Sequence, residues 1–140
     1  MFLRKGQNVK LNRAKSFPGY EVVASEETII DSITSNPFFH GFNILALSKK
    51  MKGFRNNADL NKILTPVVVQ TGIQVDLNEN QFVTFIPDKK FADDLKLLSV
   101  RDYFSSNDLI QPSFINLGMK DVKVRKGENL GIILVQSVDE

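Results

Sequence analysis

The sequence predicts an all-β fold, an antiparallel β-sandwich or jelly roll with little helix, and three observations lead there. Segments in which apolar and polar residues alternate recur, most plainly Ile73-Gln74-Val75-Asp76-Leu77 and Val122-Lys123-Val124-Arg125. A period of two puts one set of side chains on one face of a strand, as a half-buried sheet requires. Turn-forming residues bound these segments, among them Asn78-Glu79-Asn80 and Gly127-Glu128-Asn129. Helical spacing is confined to two stretches of eight residues each.

In chain order, Val9 to Leu11, Tyr20 to Ala24 and Thr28 to Ile30 are short extended candidates between breakers. Asn57 to Leu64 reads as two helical turns, with Asn57 as N-cap and Pro66 just beyond. Ile73 to Leu77, the turn at 78–80 and Gln81 to Ile86 read as a hairpin. Lys90 to Leu97 reads as a second short helix, with Phe91 and Leu95 four residues apart on one face. Leu109 to Leu117 reads as a strand in which Pro112 demands an edge or a bulge, because proline donates no ladder hydrogen bond. Val122 to Val124 and the β-branched run Leu130 to Val138 form a second expected hairpin. Inward positions are Ile73, Val75, Val122, Val124, Ile133 and Val135. With no internal repeat and no linker, residues 1–140 read as one domain.

At 140 residues, 42% hydrophobic and 24% charged, the chain is long enough to build a core without covalent staples. With no cysteine there is no disulfide, thiolate metal site or cysteine nucleophile. A single histidine, His40, leaves no histidine-rich cluster, so no metal and no cofactor is expected. His40 lies between Phe38-Phe39 and Gly41-Phe42 with no acid nearby, and reads as a histidine beside an aromatic cluster. Asp93-Asp94 reads as the acidic turn of a surface helix. The longest apolar runs, such as Ile44 to Leu47 and Ile132 to Val135, fall short of the roughly 20 residues of a membrane span. No membrane partner is expected, and the first residues lack the apolar core of a signal peptide.

The net charge of +2 is unevenly spread. Residues 1–15 hold Arg4, Lys5, Lys10, Arg13 and Lys15 with no acid, and residues 16–31 hold Glu21, Glu26, Glu27 and Asp31 with no base. Residues 49–62 are basic again, with Lys49, Lys50, Lys52, Arg55 and Lys62 against Asp59. Such opposite patches pair within or between subunits. Nucleic-acid binding is disfavoured, because no stacking aromatics interleave the amino-terminal bases.

The order of segments resembles the deoxyuridine triphosphatase (dUTPase) family. Phe17-Pro18-Gly19-Tyr20-Glu21-Val22-Val23-Ala24-Ser25-Glu26-Glu27 is similar to its first motif, with a Gly-Tyr-Asp-Leu core. Thr71-Gly72-Ile73-Gln74-Val75-Asp76-Leu77, Phe85-Ile86-Pro87, Phe114-Ile115-Asn116-Leu117-Gly118 and Val124-Arg125-Lys126-Gly127-Glu128 follow in family order. The resemblance covers roughly residues 16–30 and 66–136 and implies a dUTPase-type sandwich. Deoxycytidine triphosphate deaminases share that fold, so it implies architecture before activity. Residues 31–65 form a longer insertion than the family usually has. Its Phe38, Phe39, Phe42 and Phe54 are candidates for an interaction surface.

Position by position, the family's chemistry is not matched. The phosphate-binding Pro-Arg-Ser-Ser motif falls on Pro87-Asp88-Lys89-Lys90, which sets a carboxylate where the family has a guanidinium. Counting back from Asn116-Leu117-Gly118 puts Tyr103 at the water-activating aspartate and Ser106 at the sugar-stacking tyrosine. Asp102 is one residue off, which in a strand points it to the opposite face. The family's Arg-Ile-Ala-Gln-Leu-Ile maps to Asn129-Leu130-Gly131-Ile132-Ile133-Leu134, without its arginine and glutamine. No glycine-rich closing arm occurs up to Glu140.

The resulting expectation is a non-catalytic, self-assembling dUTPase-fold protein with no catalytic residue. It is expected to be a homotrimer or to occupy a threefold position, because the resemblance implies a subunit that completes its core against two neighbours. A structural or accessory role in a virus or phage particle follows, in the virion or in the cytoplasm of the infected host cell, with other virion or host proteins as partners. The alternatives are a regulator binding a host protein and a divergent deoxynucleotide-binding or dUTP-hydrolysing protein. The latter would use a reorganised site of Asp88, Lys89, Lys90, Asp102 and Tyr103.

Overall fold

The structure is a computed structural model and describes residues 1–35 and 65–139. Its strands are β1 (Phe2–Arg4), β2 (Gln7–Asn8), β3 (Tyr20–Val23), β4 (Thr28–Ile30), β5 (Val67–Val68) and β6 (Gln74–Val75). They continue with β7 (Gln81–Pro87), β8 (Leu97–Ser99), β9 (Tyr103–Phe104), β10 (Ser113–Asn116), β11 (Val122–Val124) and β12 (Asn129–Ser137). The largest sheet runs β3-β12-β7-β9; the others run β2-β1-β6, β5-β10-β8 and β11-β4. Every pair of these strands is antiparallel. The all-β expectation therefore holds.

Alternation explains the core. Ile73, Val75, Val122, Val124 and Ile133 are buried, and Val135 is half-buried against them. Phe85, Phe91, Phe104 and Phe114 are the largest fully buried side chains. Phe114 packs edge-on to Phe85 at 6.4 Å between ring centroids and tilted to Phe91 at 5.7 Å. These offset geometries suit rings whose faces and edges carry opposite partial charge.

Both expected hairpins are corrected, although both turns form. Gln81 N–H donates to the Asn78 carbonyl, yet β6 pairs with β1 while β7 pairs with β12 and β9. Glu128 N–H likewise donates to the Arg125 carbonyl, but β11 pairs with β4 and β12 with β3 and β7. The second turn is docked on β3's end through Gly127 N–H to the Ala24 carbonyl and Ala24 N–H to the Glu128 carbonyl. In each case the turn carries the chain from one sheet to another, which is how a sandwich closes its core. Among the described residues, the strand pair joined by a two-residue turn is β1 with β2, across Lys5 and Gly6. Both have positive φ, 50° and 78°, as that turn demands.

Leu109 to Leu117 is two pieces. Leu109 and Ile110 bind the β6 segment, whereas β10 begins at Ser113 and pairs with β5 and β8. Pro112 stands at the switch and serves only as an acceptor, taking the Val69 N–H. Lys90–Asp94 is a single π-helical turn, closed by Leu95 N–H to the Lys90 carbonyl, and Leu97 already belongs to β8. Phe91 is buried and Leu95 exposed, so they do not share the expected apolar face. Val9 to Leu11 is not a strand: β2 ends at Asn8, and Val9 and Leu11 pack against the core from irregular backbone, while β1, β5, β8 and β9 are strands the sequence reading did not anticipate. The expected helix at Asn57 to Leu64, His40 and the phenylalanines at 38, 39, 42 and 54 lie outside the described residues.

Buried Asn116 ties β10 to β4 and to the turn that follows it. Its amide donates to the carbonyls of Ile30 (3.0 Å) and Lys120 (2.8 Å), and its side-chain oxygen accepts Gly118 N–H (2.9 Å).

Candidate functional site

β7 brings the mapped phosphate motif to the edge of a cleft of about 410 Å³. Ile86, Pro87, Asp88 and Lys89 line one side, Asn129, Gly131 and Ile132 another, and Ala14, Ser16 and Phe17 close it. The two strands approach because Gly131 sits beside a bulge in β12, with φ of 150°. A Cβ there would lie 2.2 Å from the Ile86 carbonyl oxygen, so glycine alone permits the approach. Asn129 Oδ1 accepts the Gly131 N–H at 3.0 Å and braces the bulge.

Asp88 is engaged with backbone. Its N–H donates to the Leu130 carbonyl, and its Oδ1 accepts the Lys90 N–H at 3.1 Å at the start of the π turn. The carboxylate thus satisfies an orphan helix donor. Lys89 is exposed on the cleft, whereas Lys90 lies over the Phe91 ring, its Nζ 5.0 Å from the centroid.

Asp102 and Tyr103 do not line this cleft. Asp102 takes the Phe85 N–H on its backbone carbonyl and the Ser99 hydroxyl on Oδ1 at 2.7 Å. Phe85 lies three residues before Asp88, so at about 3.3 Å per strand residue the two backbones are roughly 10 Å apart. Tyr103, 67% exposed, packs on Phe82 with ring centroids 6.1 Å apart. Its neighbour Phe104 is buried, as strand alternation requires. Ser106, at the mapped sugar-stacking position, braces Leu77 by accepting its N–H (3.0 Å) and donating to its carbonyl (3.2 Å). The five expected residues are therefore not one cluster: Asp88 and Lys89 share a cleft, and the others serve separate local structures. Among the described residues no three His, Cys, Asp or Glu side chains converge.

Sequence reasoning missed an apolar surface on the β5-β10-β8 sheet. Phe114 points to the core, so Ile115 and its register partner Leu98 face outward, as does Val68 opposite Ser113. Val68 is 41% exposed, Leu98 49%, Val100 42% and Leu117 52%. The signal was present in Val67-Val68-Val69 and Leu97-Leu98, which are apolar on both faces of a strand.

No protein-family model matches this sequence, and no curated protein does either. Solved structures do match. A mutant dUTPase from phage phi11 of S. aureus aligns with a TM-score of 0.67 at 8% identity, covering 100% of this chain and 91% of that one. The Staphylococcus bacteriophage 80alpha dUTPase with dUpNHpp gives 0.65 at 8% identity, covering 100% and 83%. The native EIAV dUTPase gives 0.61 at 10% identity, covering 97% and 86%. The chain has a dUTPase-type fold, and the fold is what these likenesses show.

Proposed function

We propose that the chain is a self-assembling, non-catalytic dUTPase-fold protein that works by binding proteins, as a structural or accessory component of a virus or phage particle. The observation that carries the reading is the apolar outer face of the β5-β10-β8 sheet. Fully burying a leucine or valine contributes about 1.5–3 kcal/mol. Val68, Leu98, Val100 and Leu117 begin half-exposed, so each would contribute about 1 kcal/mol on association. A threefold arrangement that covers this face fits the resemblance, and the phage and viral origin of the structural neighbours supports the setting. The catalytic half rests on Asp88, whose carboxylate is committed to the Lys90 N–H, and on Tyr103 and Ser106 at the mapped aspartate and tyrosine.

A second reading is a regulator that binds a host protein. It draws on the 80alpha neighbour, one of the phage dUTPases that control transfer of virulence genes by a proto-oncogenic G protein-like mechanism. Three measurements test the proposal together. Light scattering at micromolar concentration should give three times the chain mass, and Leu98→Asp should reduce it to one. A dUTP and magnesium assay should give no turnover above background, whereas about 1 s⁻¹ abolished by Asp102→Asn would overturn the non-catalytic claim. Presence in purified particles supports the structural role, and absence from them favours the regulator.

A further inference from the structure

Two clefts on the amino-terminal face, of about 260 and 250 Å³, meet at Met1, Arg13 and Tyr20 and form one groove. Phe2, Val9 and Leu11 line one half, and Pro18, Leu134 and Val135 the other. The Tyr20 ring is fixed edge-on to Phe2, 5.0 Å between centroids. Above it stands the Arg13 guanidinium, 5.6 Å from the ring centroid, and Lys10 lines the same groove. Arg13 is held by ordered backbone, since it bridges Tyr20 and is flanked by Ala14 N–H to the Gly19 carbonyl and Glu21 N–H to the Asn12 carbonyl. Both cations are exposed, and among the described residues the two ion pairs are Arg101 with Asp108 and Lys123 with Glu27.

We propose that this groove binds an acidic, aliphatic segment of a partner protein. An apolar side chain of that segment seats against Leu11 and Leu134, and its carboxylates pair with Lys10 and with the outer edge of the Arg13 guanidinium. Two cations that form no ion pair among the described residues, beside an apolar floor, call for both features in one ligand. A neutral peptide leaves the charges unused, and the groove offers a nucleic acid few phosphate contacts and a tyrosine ring already covered by Arg13. Charge complementarity of this kind supplies specificity and speed of encounter, while the apolar floor supplies affinity. The groove shares no residue with the face around Leu98 and Leu117, so loss of self-association and loss of peptide binding are separable.

The test is fluorescence anisotropy on the full chain with a labelled peptide Asp-Leu-Glu-Leu-Asp-Gly. Its companions are an Asn/Gln version, a version with glycine for leucine, and a thymidine oligonucleotide of equal charge. Saturable binding is expected to weaken at least about tenfold in the Lys10→Glu and Arg13→Glu variants and in both altered peptides. Both positions are exposed, so unchanged melting temperatures will separate this loss from unfolding. Equal binding of the glycine version or the oligonucleotide would assign the face to unspecific anion attraction. Peptide-insensitive self-association that is lost in the same variants would assign it to a second copy. Either result, or no binding at millimolar peptide, would overturn the proposal.

Discussion

Gly131 concentrates the geometric demand of the fold on one backbone position. Its φ of 150° and the 2.2 Å that would separate a Cβ from the Ile86 oxygen leave no room for a side chain. Gly131→Ala is expected to destabilise by about 2–4 kcal/mol, read as a lower urea midpoint at unchanged m-value. Asp88 makes a smaller contribution of a different kind. Asp88→Ala removes the acceptor of the Lys90 N–H and should cost about 0.5–2 kcal/mol, whereas Asp88→Asn keeps an acceptor and should cost less. Equal losses in the two variants would show that charge, not capping, is what matters there. Asn116→Ala leaves the buried Ile30 carbonyl and the part-buried Lys120 carbonyl without the amide that serves them and is expected to cost about 1–3 kcal/mol by the same measurement.

Among the elements, the inward faces were legible in the sequence because alternation is a local property that burial preserves. Ile73, Val75, Val122, Val124 and Ile133 show it. Pairing was not legible, because a turn signal reports only that the chain reverses and is silent on which strand lies alongside. Asn78 to Gln81 and Arg125 to Glu128 form turns as their residues require, and each delivers its strand to a different sheet. Strands of two or three residues, such as β5 and β9, are too short to carry a period. Of the cleft, only the Pro87 to Lys89 stretch stands out as a site in the sequence, since the residues that close it, such as Phe17 and Asn129, are more than a hundred residues apart. β10 carries the core through Phe114 and the outer face through Ile115. Phe114→Ala should therefore lose about 3–5 kcal/mol of stability, while Leu98→Asp in the adjacent β8 should abolish association and leave a folded monomer that has lost the stabilisation association supplies. Near-ultraviolet circular dichroism should show the Leu98→Asp chain folded at low temperature, and a chain that still sediments at three times its mass would overturn the role of this face.

Across the whole molecule, a dUTPase-type sandwich carries the surfaces through which the proposed associations would act. An apolar sheet face and a basic, apolar-floored groove offer two distinct binding surfaces. The central sheet also has a consequence for how the chain reaches its fold. β12, residues 129–137, is the strand against which both β3 and β7 pair, so β3 waits for a partner more than a hundred residues further along. Closing so long a loop is costly before any contact repays it, and topologies dominated by distant pairings fold in about milliseconds to seconds. During synthesis, residues 20–23 emerge long before their partner, so β3 with its apolar Val22 stays unpaired until β12 leaves the ribosome. Release of a chain truncated before residue 129 should yield an aggregating species, and stopped-flow refolding of the full chain should lack a microsecond phase that recovers the near-ultraviolet signal.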